Sequence, residues 1–191
     1  MAAIDSSFLD RAIRFAVDAH SGSARKFSAI PYVIHPLEAM AIAATLTDDQ
    51  KVLAATVLHD VVEDTGTPID DIRREFGDTV ADLVATETED KHRELPAEFT
   101  WKRRKQESLQ VLFDTNDINV KILWLADKLS NMRSFYRMYL AEGVAFWNKL
   151  HQNDVSEQKW YYESVLDATA ELKASSAWLE YRELVEKIFE E

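Results

Sequence analysis

The chain has 191 residues, with 22 Lys and Arg against 34 Asp and Glu, so its formal net charge at pH 7 is −12. This excess of acid excludes a general affinity for nucleic acid or anionic membranes, because the long-range field of the molecule repels phosphate. The absence of cysteine excludes disulfides, thiolate metal sites and cysteine nucleophiles, and it fits a reducing compartment such as the cytoplasm, where we expect the protein.

Apolar residues of helical period fill most of the chain, and four glycines and four prolines separate the segments. The predicted helices span about residues 6–20, 36–46, 49–64, 67–76, 78–89, 101–114, 118–140, 144–152, 154–174 and 176–190. Residues 90–100 are predicted to form a loop. No apolar run is long enough to span a membrane, and no signal-peptide pattern is present. We therefore predict one all-α domain over residues 1–191, a bundle of about 8–10 helices.

Positive charge is confined to one segment. Residues 101–137 carry eight bases and four acids, whereas residues 1–64, 65–100 and 138–191 are each net negative.

The apolar predicted helix 49–64 ends in four polar residues within six positions: His59, Asp60, Glu63 and Asp64. An unpaired buried carboxylate costs several kcal/mol, so this pattern favours a metal or a cation beside it. In a continuous helix, His59 and Glu63 share one face, as do Asp60 and Asp64. The alternative is a helix end with solvated acids, which Glu63 and Asp64 alone would fit.

A second polar cluster interrupts the apolar stretch 123–133. Asp127 lies in its middle, with Asn131 four residues later on the same face. A surface ion pair of Asp127 with Lys128 or Arg133 is the alternative, and the surrounding Leu and Trp residues disfavour it. His35-Pro36, at a helix start, completes the set.

Two His and two Asp suit a divalent ion such as Zn, Mn or Fe, with open positions for water and a substrate oxygen. Such an ion makes hydroxide accessible near neutral pH. No glycine-rich phosphate loop is present in the sequence, so hydrolysis fits better than nucleotide-driven transfer.

At these residues the chain resembles the HD superfamily of metal-dependent phosphohydrolases, whose signature is a distant His, an adjacent His-Asp pair and a later Asp. It is most similar to the small alarmone hydrolases, which are relatives of the hydrolase domain of RelA/SpoT proteins. The motifs that carry the resemblance span about residues 11–133 and are 11–16, 20–26, 31–36, 58–65, 76–81, 88–91, 101–105 and 125–133. Their order and spacing together make the resemblance specific, and it implies an HD-domain helical bundle.

The resemblance implies that four residues hold one Mn²⁺ ion: His35, His59, Asp60 and Asp127. It implies that Glu63 and Asp64 activate and orient the attacking water. The implied substrate contacts are Arg25 and Lys26 at the guanine base, Asn131 near the ribose or 3′-phosphate, Arg104 and Lys105 at the pyrophosphate, and Tyr161 at the nucleotide. The implied reaction removes pyrophosphate from the 3′ position of ppGpp or pppGpp, a small-molecule nucleotide substrate.

One departure leaves the base specificity open. The family's base-binding turn often has a glycine between its Arg-Lys and Pro-Tyr pairs, and residues 25–32 have none. A hydrolase of (p)ppApp, another HD phosphohydrolase and a non-catalytic nucleotide-binding regulator remain alternatives. No synthetase domain is expected within 191 residues. The apolar residues of helix 176–190 could form a homodimer interface, although packing on the protein's own core is the favoured expectation.

Overall fold

A computed structural model describes residues 6–25, 29–90 and 96–189. In this part of the chain there are ten α-helices and two 3₁₀ segments, and no strand; one isolated bridge pairs Ala24 with Pro31. The all-α prediction is therefore confirmed. The chain divides into two compact units, Met1–Thr88 (the first unit) and Glu89–Glu191 (the second unit). No helix in the described ranges is long and apolar enough to cross a membrane.

The first unit is built around one buried helix. Its helices are α1 (Ser7–Ala19), α2 (Ile34–Ala43), α3 (Gln50–Leu58), α4 (Val61–Thr65), α5 (Ile69–Phe76) and α6 (Asp78–Ala85). Helix α3 packs against α1, α2 and α6, and α5 packs on α6. Every residue of α3 from Val52 to Leu58 is buried. A helix that is covered on all sides must be apolar all round, as this one is.

The predicted helix 49–64 is wrong in one respect, because it breaks at His59-Asp60 into α3 and α4. The His59 ring nitrogen Nδ1 lies 2.8 Å from the Thr56 carbonyl oxygen, which the Asp60 N–H would use in a continuous helix. Asp60 adopts φ −87° and ψ −7°, and the Asp64 N–H then bonds the Asp60 carbonyl at 2.9 Å. The break therefore falls on the two residues that the sequence marks for chemistry.

The second unit is organised around its longest helix. Its elements are α7 (Ala97–Asp114), α8 (Ile118–Glu142), a 3₁₀ segment (Gly143–Lys149), α9 (Val155–Ala168), a 3₁₀ segment (Ala170–Leu172) and α10 (Ser176–Phe189). Helix α8 packs against α9, α10 and both 3₁₀ segments, and α7 packs on α9. All ten residues 121–130 of α8 are buried, including two lysines and one aspartate. Buried charges of this kind need partners of opposite charge.

Several predicted boundaries shift. Helix α7 begins at Ala97, inside the predicted loop, and α6 ends at Ala85 rather than near residue 89. The helix predicted at 144–152 is a 3₁₀ segment, Gly143–Lys149. The apolar face of α10 packs within its own unit, against α8 and α9, and five of its large side chains are buried: Tyr181, Leu184, Val185, Ile188 and Phe189. This packing within the unit is the arrangement that the sequence favoured for the helix.

Candidate functional site

Three of the four predicted metal ligands lie together in the first unit. His35 is the second residue of α2, and His59 and Asp60 form the break between α3 and α4. The Nε2 atoms of His35 and His59 lie 3.4 and 3.0 Å from the same Asp60 oxygen, Oδ2. Both imidazoles are buried, and the Asp60 side chain is 19% exposed. The tertiary fold thus brings His35 to a pair of residues about 24 positions away in the sequence.

This donor set fits a divalent cation. A carbonyl oxygen only accepts hydrogen bonds, so His59 Nδ1 carries the proton that is donated to Thr56, and the neutral ring presents a lone pair at Nε2. That lone pair faces a carboxylate oxygen, an arrangement that a metal ion or an added proton must bridge. Burial alone would raise the pKa of Asp60, but the positive charge that the facing His59 and His35 imidazoles carry when protonated holds this pKa well below its ordinary range. Imidazole and carboxylate together suit Mn, Fe and Zn.

The Tyr32 hydroxyl holds the Asp60 carboxylate from a second side. It donates to Asp60 Oδ2 at 2.7 Å. Burial, and next the charges of Asp60 and Asp64, raise the pKa of Tyr32 well above its ordinary value, so the hydroxyl stays protonated and remains a donor. Groups that hydrogen-bond to a metal ligand fix its orientation, and this is the role that the geometry gives to Tyr32.

His20 lies behind Tyr32, with ring centroids 4.9 Å apart. Its Nε2 atom is buried and has no hydrogen-bond partner among the residues that the structure describes. Burial lowers the pKa of His20 below its ordinary value, although the carboxylates of Asp60 and Asp64 act in the opposite direction. His20 is therefore held neutral more strongly than a surface histidine.

The predicted water-activating acids follow directly on α4. Glu63 is half-buried and Asp64 is exposed. Helix α4 ends at Thr65 and is capped by Gly66, whose φ of 77° is the left-handed conformation that glycine adopts readily. Of the predicted base contacts, the Arg25 guanidinium lies 5.8 Å from the Tyr32 ring centroid, and Lys26 lies outside the described residues.

The fourth predicted ligand, Asp127, is a buried residue of α8 in the second unit. Its Oδ1 accepts from Asn131 Nδ2 at 2.8 Å, as the spacing of four residues predicts. Its other oxygen pairs with Lys128 Nζ. This pair is the alternative that the sequence offered, but it is buried rather than on the surface. Asp127 is thus held by a cation and an amide on its own helix.

The predicted pyrophosphate contacts, Arg104 and Lys105, lie together on α7. Each donates to one oxygen of Glu89 at 2.6 Å, Arg104 through Nη1 and Lys105 through Nζ. Lys105 Nζ also lies 4.8 Å from the centroid of the Tyr161 ring, which is only 2% exposed. Burial would raise the pKa of Glu89, but Lys105, Lys128 and Arg104 together lower it.

Sequence reasoning assigned no role to three residues that the structure ties to these groups: His20, Tyr32 and Glu89. Tyr32 had a usable signal, because it precedes His35 by three residues and lies near it when a helix begins there. Glu89 lies in the motif 88–91, but its partners could not be predicted, because they lie 15 and 16 residues later in the sequence.

Known proteins resemble this chain in both sequence and structure. Residues 12–153 match the family model described as HD domain. A GTP pyrophosphokinase of Streptomyces coelicolor is 40% identical over 127 residues, 66% of this chain and 14% of the relative. A guanosine-3′,5′-bis(diphosphate) 3′-pyrophosphohydrolase of Aquifex aeolicus is 34% identical over 130 residues, 67% of this chain and 18% of the relative. The chain therefore spans less than a fifth of the length of these two relatives.

A solved structure matches over nearly the full length of both chains. It is that of a metazoan ortholog of SpoT, described as hydrolysing ppGpp and playing a role in starvation responses. The two share 25% sequence identity with a TM-score of 0.76, over 97% of this chain and 98% of the other. Since the family model covers well over half of the sequence, the chain belongs to the HD-domain family.

Proposed function

We propose that the chain hydrolyses the 3′-pyrophosphate of ppGpp or pppGpp, releasing pyrophosphate and leaving GDP or GTP. The observation that carries this proposal is the convergence of His35 and His59 Nε2 on one Asp60 oxygen, with Glu63 and Asp64 following on α4. The Aquifex relative and the metazoan structure support the choice of substrate, because both are described by that chemistry.

The proposed cofactor is one Mn²⁺ ion held by His35, His59, Asp60 and Asp127. The family match over residues 12–153 includes all four positions, and the imidazole and carboxylate donors favour a transition metal over Mg²⁺. When bound, a divalent ion supplies Lewis acidity toward water and toward phosphoryl oxygens. Zn and Fe are the competing candidates for the same donors, and metal-dependent activity distinguishes them.

The proposed chemistry is a single displacement at phosphorus. Glu63 acts as the general base and accepts one proton of the attacking water, and the adjacent Asp64 orients that water. The water oxygen forms a bond to the 3′-linked phosphorus as the bond from that phosphorus to the ribose O3′ breaks. The O3′ atom takes up the proton that Glu63 removed from the water and leaves as the free 3′-hydroxyl of GDP or GTP, so the reaction consumes one water and yields one pyrophosphate.

The proposed substrate contacts divide by chemistry. Arg25, with Lys26, is assigned to the base because a planar guanidinium stacks on rings, as it already lies against Tyr32. Arg104 and Lys105 are assigned to the pyrophosphate, where cationic donors are most effective once water is excluded. Asn131 is assigned to the ribose or 3′-phosphate. The buried Tyr161 supports Lys105 through its ring.

We propose further that residues 1–191 act as one phosphohydrolase domain, in the cytoplasm, with a small nucleotide as substrate and with neither nucleic acid nor membrane as a partner. The family match supports the domain assignment, because it runs across the boundary between the two units. The net charge of −12 and the absence of cysteine support the choice of partner and compartment.

The test is a substrate panel. The purified protein is incubated with Mn²⁺ and with ppGpp, pppGpp, ppApp or deoxynucleoside monophosphates, and pyrophosphate and phosphate release are measured separately. A His59→Ala variant purified in parallel controls for a contaminating hydrolase. Pyrophosphate release confined to the guanine compounds is the expected result.

Other outcomes select other functions. Pyrophosphate release from ppApp alone would assign the protein to adenine alarmones. Phosphate release from monophosphates would make it a nucleotidase and end the proposal. Tight binding of ppGpp without turnover, with metal present, would identify a regulator.

A further inference from the structure

The positive segment 101–137 is neutralised by acids from elsewhere in the second unit. Besides pairs within the segment, its bases form ion pairs with four acids outside it. These pairs are Lys102 with Glu157, Arg104 and Lys105 with Glu89, Lys121 with Glu171, and Arg133 with Glu180. The net charge of +4 in the sequence is therefore offset by four carboxylates in the fold.

Glu89 differs from the other three acids in burial and in partners. Its side chain is 8% exposed, whereas those of Glu157, Glu171 and Glu180 are 33%, 57% and 40% exposed. Each of those three has one cationic partner in these pairs, whereas Glu89 takes one cation on each carboxylate oxygen, at 2.6 Å. Exposed pairs contribute little, because water screens them, but a buried bridging carboxylate controls where its partners lie.

Arg104 and Lys105 need such an anion to remain charged in place. Their side chains are only 14% and 19% exposed, and they lie beside one another. Lys128 is a third cation near Glu89, and its charge contributes to lowering the pKa of Glu89. Without the carboxylate, mutual repulsion and the cost of burial would drive the two α7 cations outward toward solvent.

Both cations keep donor capacity while they are held. Arg104 uses Nη1 for Glu89, and its Nε lies 3.3 Å from Thr100 Oγ1. A guanidinium carries five N–H groups and an ammonium three, so each side chain retains further N–H groups beyond these contacts. The pair can therefore donate to a phosphoryl oxygen without giving up its carboxylate.

We propose that Glu89 is a positioning residue, which holds Arg104 and Lys105 side by side as a preformed cationic pair for the pyrophosphate group of the substrate. This inference rests on the proposed function for the identity of the anion. Glu89 itself does not touch the substrate; it acts through the two cations, and so it governs binding of the pyrophosphate more than the chemical step.

The test is the Glu89→Gln variant, with Glu157→Gln as the matched control. The control removes the same charge from the partner of Lys102, three positions before Lys105 on α7. We expect KM for ppGpp to rise about ten-fold in Glu89→Gln, equivalent to about 1.4 kcal/mol, with kcat within about two-fold of the unsubstituted protein. We expect both constants to stay within about two-fold in the control.

Two further measurements separate positioning from general damage. In a Lys105→Ala background, the effect of Glu89→Gln on KM should shrink to about three-fold or less, because one of the two cations is gone. Calorimetric titration with inorganic pyrophosphate should show the same weakening as KM in Glu89→Gln. If that variant folds poorly, Glu89→Asp keeps the charge on a shorter side chain, and its KM should still rise.

Several results would overturn the inference. A lower KM in Glu89→Gln would mean that the carboxylate competes with the substrate, and a loss confined to kcat would mean a role in the chemical step. Unchanged pyrophosphate affinity in both Glu89 variants would also refute it. These outcomes are distinct from failure of the proposed function, in which the unsubstituted protein releases no pyrophosphate from ppGpp at all.

Discussion

The two units carry polar clusters of opposite character. In the first unit, two buried imidazoles and a tyrosine hydroxyl surround one carboxylate oxygen, and the cluster needs a cation. In the second unit, two cations of α7 share the buried carboxylate of Glu89, and they have further donors for an anion. The two clusters make a net charge of −12 compatible with the polyanionic substrate that we propose. The charge is distributed unevenly along the chain: the first cluster would bind a cation, and the second would bind an anion.

The clusters also differ in how they are tied to the sequence. His59 and Asp60 are adjacent, and their neighbours on α4 follow within four residues. The Glu89 cluster joins residues 15 and 16 positions apart, and no short-range spacing in the sequence indicates that they pair. Substitutions in the first cluster should therefore affect the metal and the chemical step, and those in the second should affect binding and stability.

The largest expected effect comes from His59→Ala. This variant removes one imidazole from the cluster that needs a cation, so we expect the loss of bound Mn²⁺ and a fall in kcat/KM of more than about a thousand-fold. Elemental analysis and steady-state kinetics measure both. The exposed His151→Ala is the control, and it should keep its metal and its activity. A fully metallated and active His59→Ala protein would refute the ligand assignment.

Glu63→Gln tests whether chemistry can be separated from metal binding within the first unit. The amide cannot accept the proton of water, so we expect kcat to fall by about 10²–10⁴-fold. Metal content should stay unchanged, because Glu63 is not assigned as a ligand. Equal loss of metal and activity would move Glu63 into the ligand set. Glu75→Gln, on α5 in the same unit, is the matched control.

A smaller effect is expected from Tyr32→Phe, which removes only the hydroxyl that donates to Asp60 Oδ2. Loss of an outer hydrogen bond to a ligand lowers metal affinity by about 10–100-fold. Titration of the metal-free protein with Mn²⁺ measures this directly, and activity should recover at saturating metal. Tyr136→Phe, on α8, should bind Mn²⁺ as tightly as the unsubstituted protein. Unaltered affinity in Tyr32→Phe would mean that Asp60 needs no such support.

The smallest expected effect is on stability in acid. The pKa of Glu89 is lower in the folded protein than in the unfolded chain, so its contribution is present above about pH 4.5 and is lost as the pH falls through the lowered value. Glu89→Gln should therefore lower Tm by roughly 5 °C at pH 7, from a loss of about 2 kcal/mol. The difference in Tm from the unsubstituted protein should shrink as the pH falls below 4.5 and through this lowered value. A difference in Tm that stays constant across this pH range would contradict the assignment of the stability loss to the charge of Glu89.

Much of the fold follows from local pattern. The limits of α1, α5 and α8 lie within two residues of prediction, because apolar periodicity, capping residues and glycines act over a few positions. The N-cap of α3 is Asp49, at the predicted start of helix 49–64, and its side chain accepts from the Lys51 N–H. The break at His59-Asp60 could not be predicted from backbone pattern. In a continuous helix the Asp60 N–H donates to the Thr56 carbonyl oxygen, but here the His59 ring Nδ1 lies 2.8 Å from that oxygen.

The sequence by itself determined the helical class, the adjacent His-Asp pair, the order of the motifs and the family that the comparisons show. Those features depend on residue type and short-range spacing. Only the tertiary structure decided that Tyr32 bonds Asp60 and that Glu89 offsets Arg104 and Lys105. A charged side chain pairs with whichever opposite charge the packing brings within about 3 Å, and a buried pair cannot exchange partners cheaply. The total charge of a segment therefore does not reveal which of its bases are already neutralised.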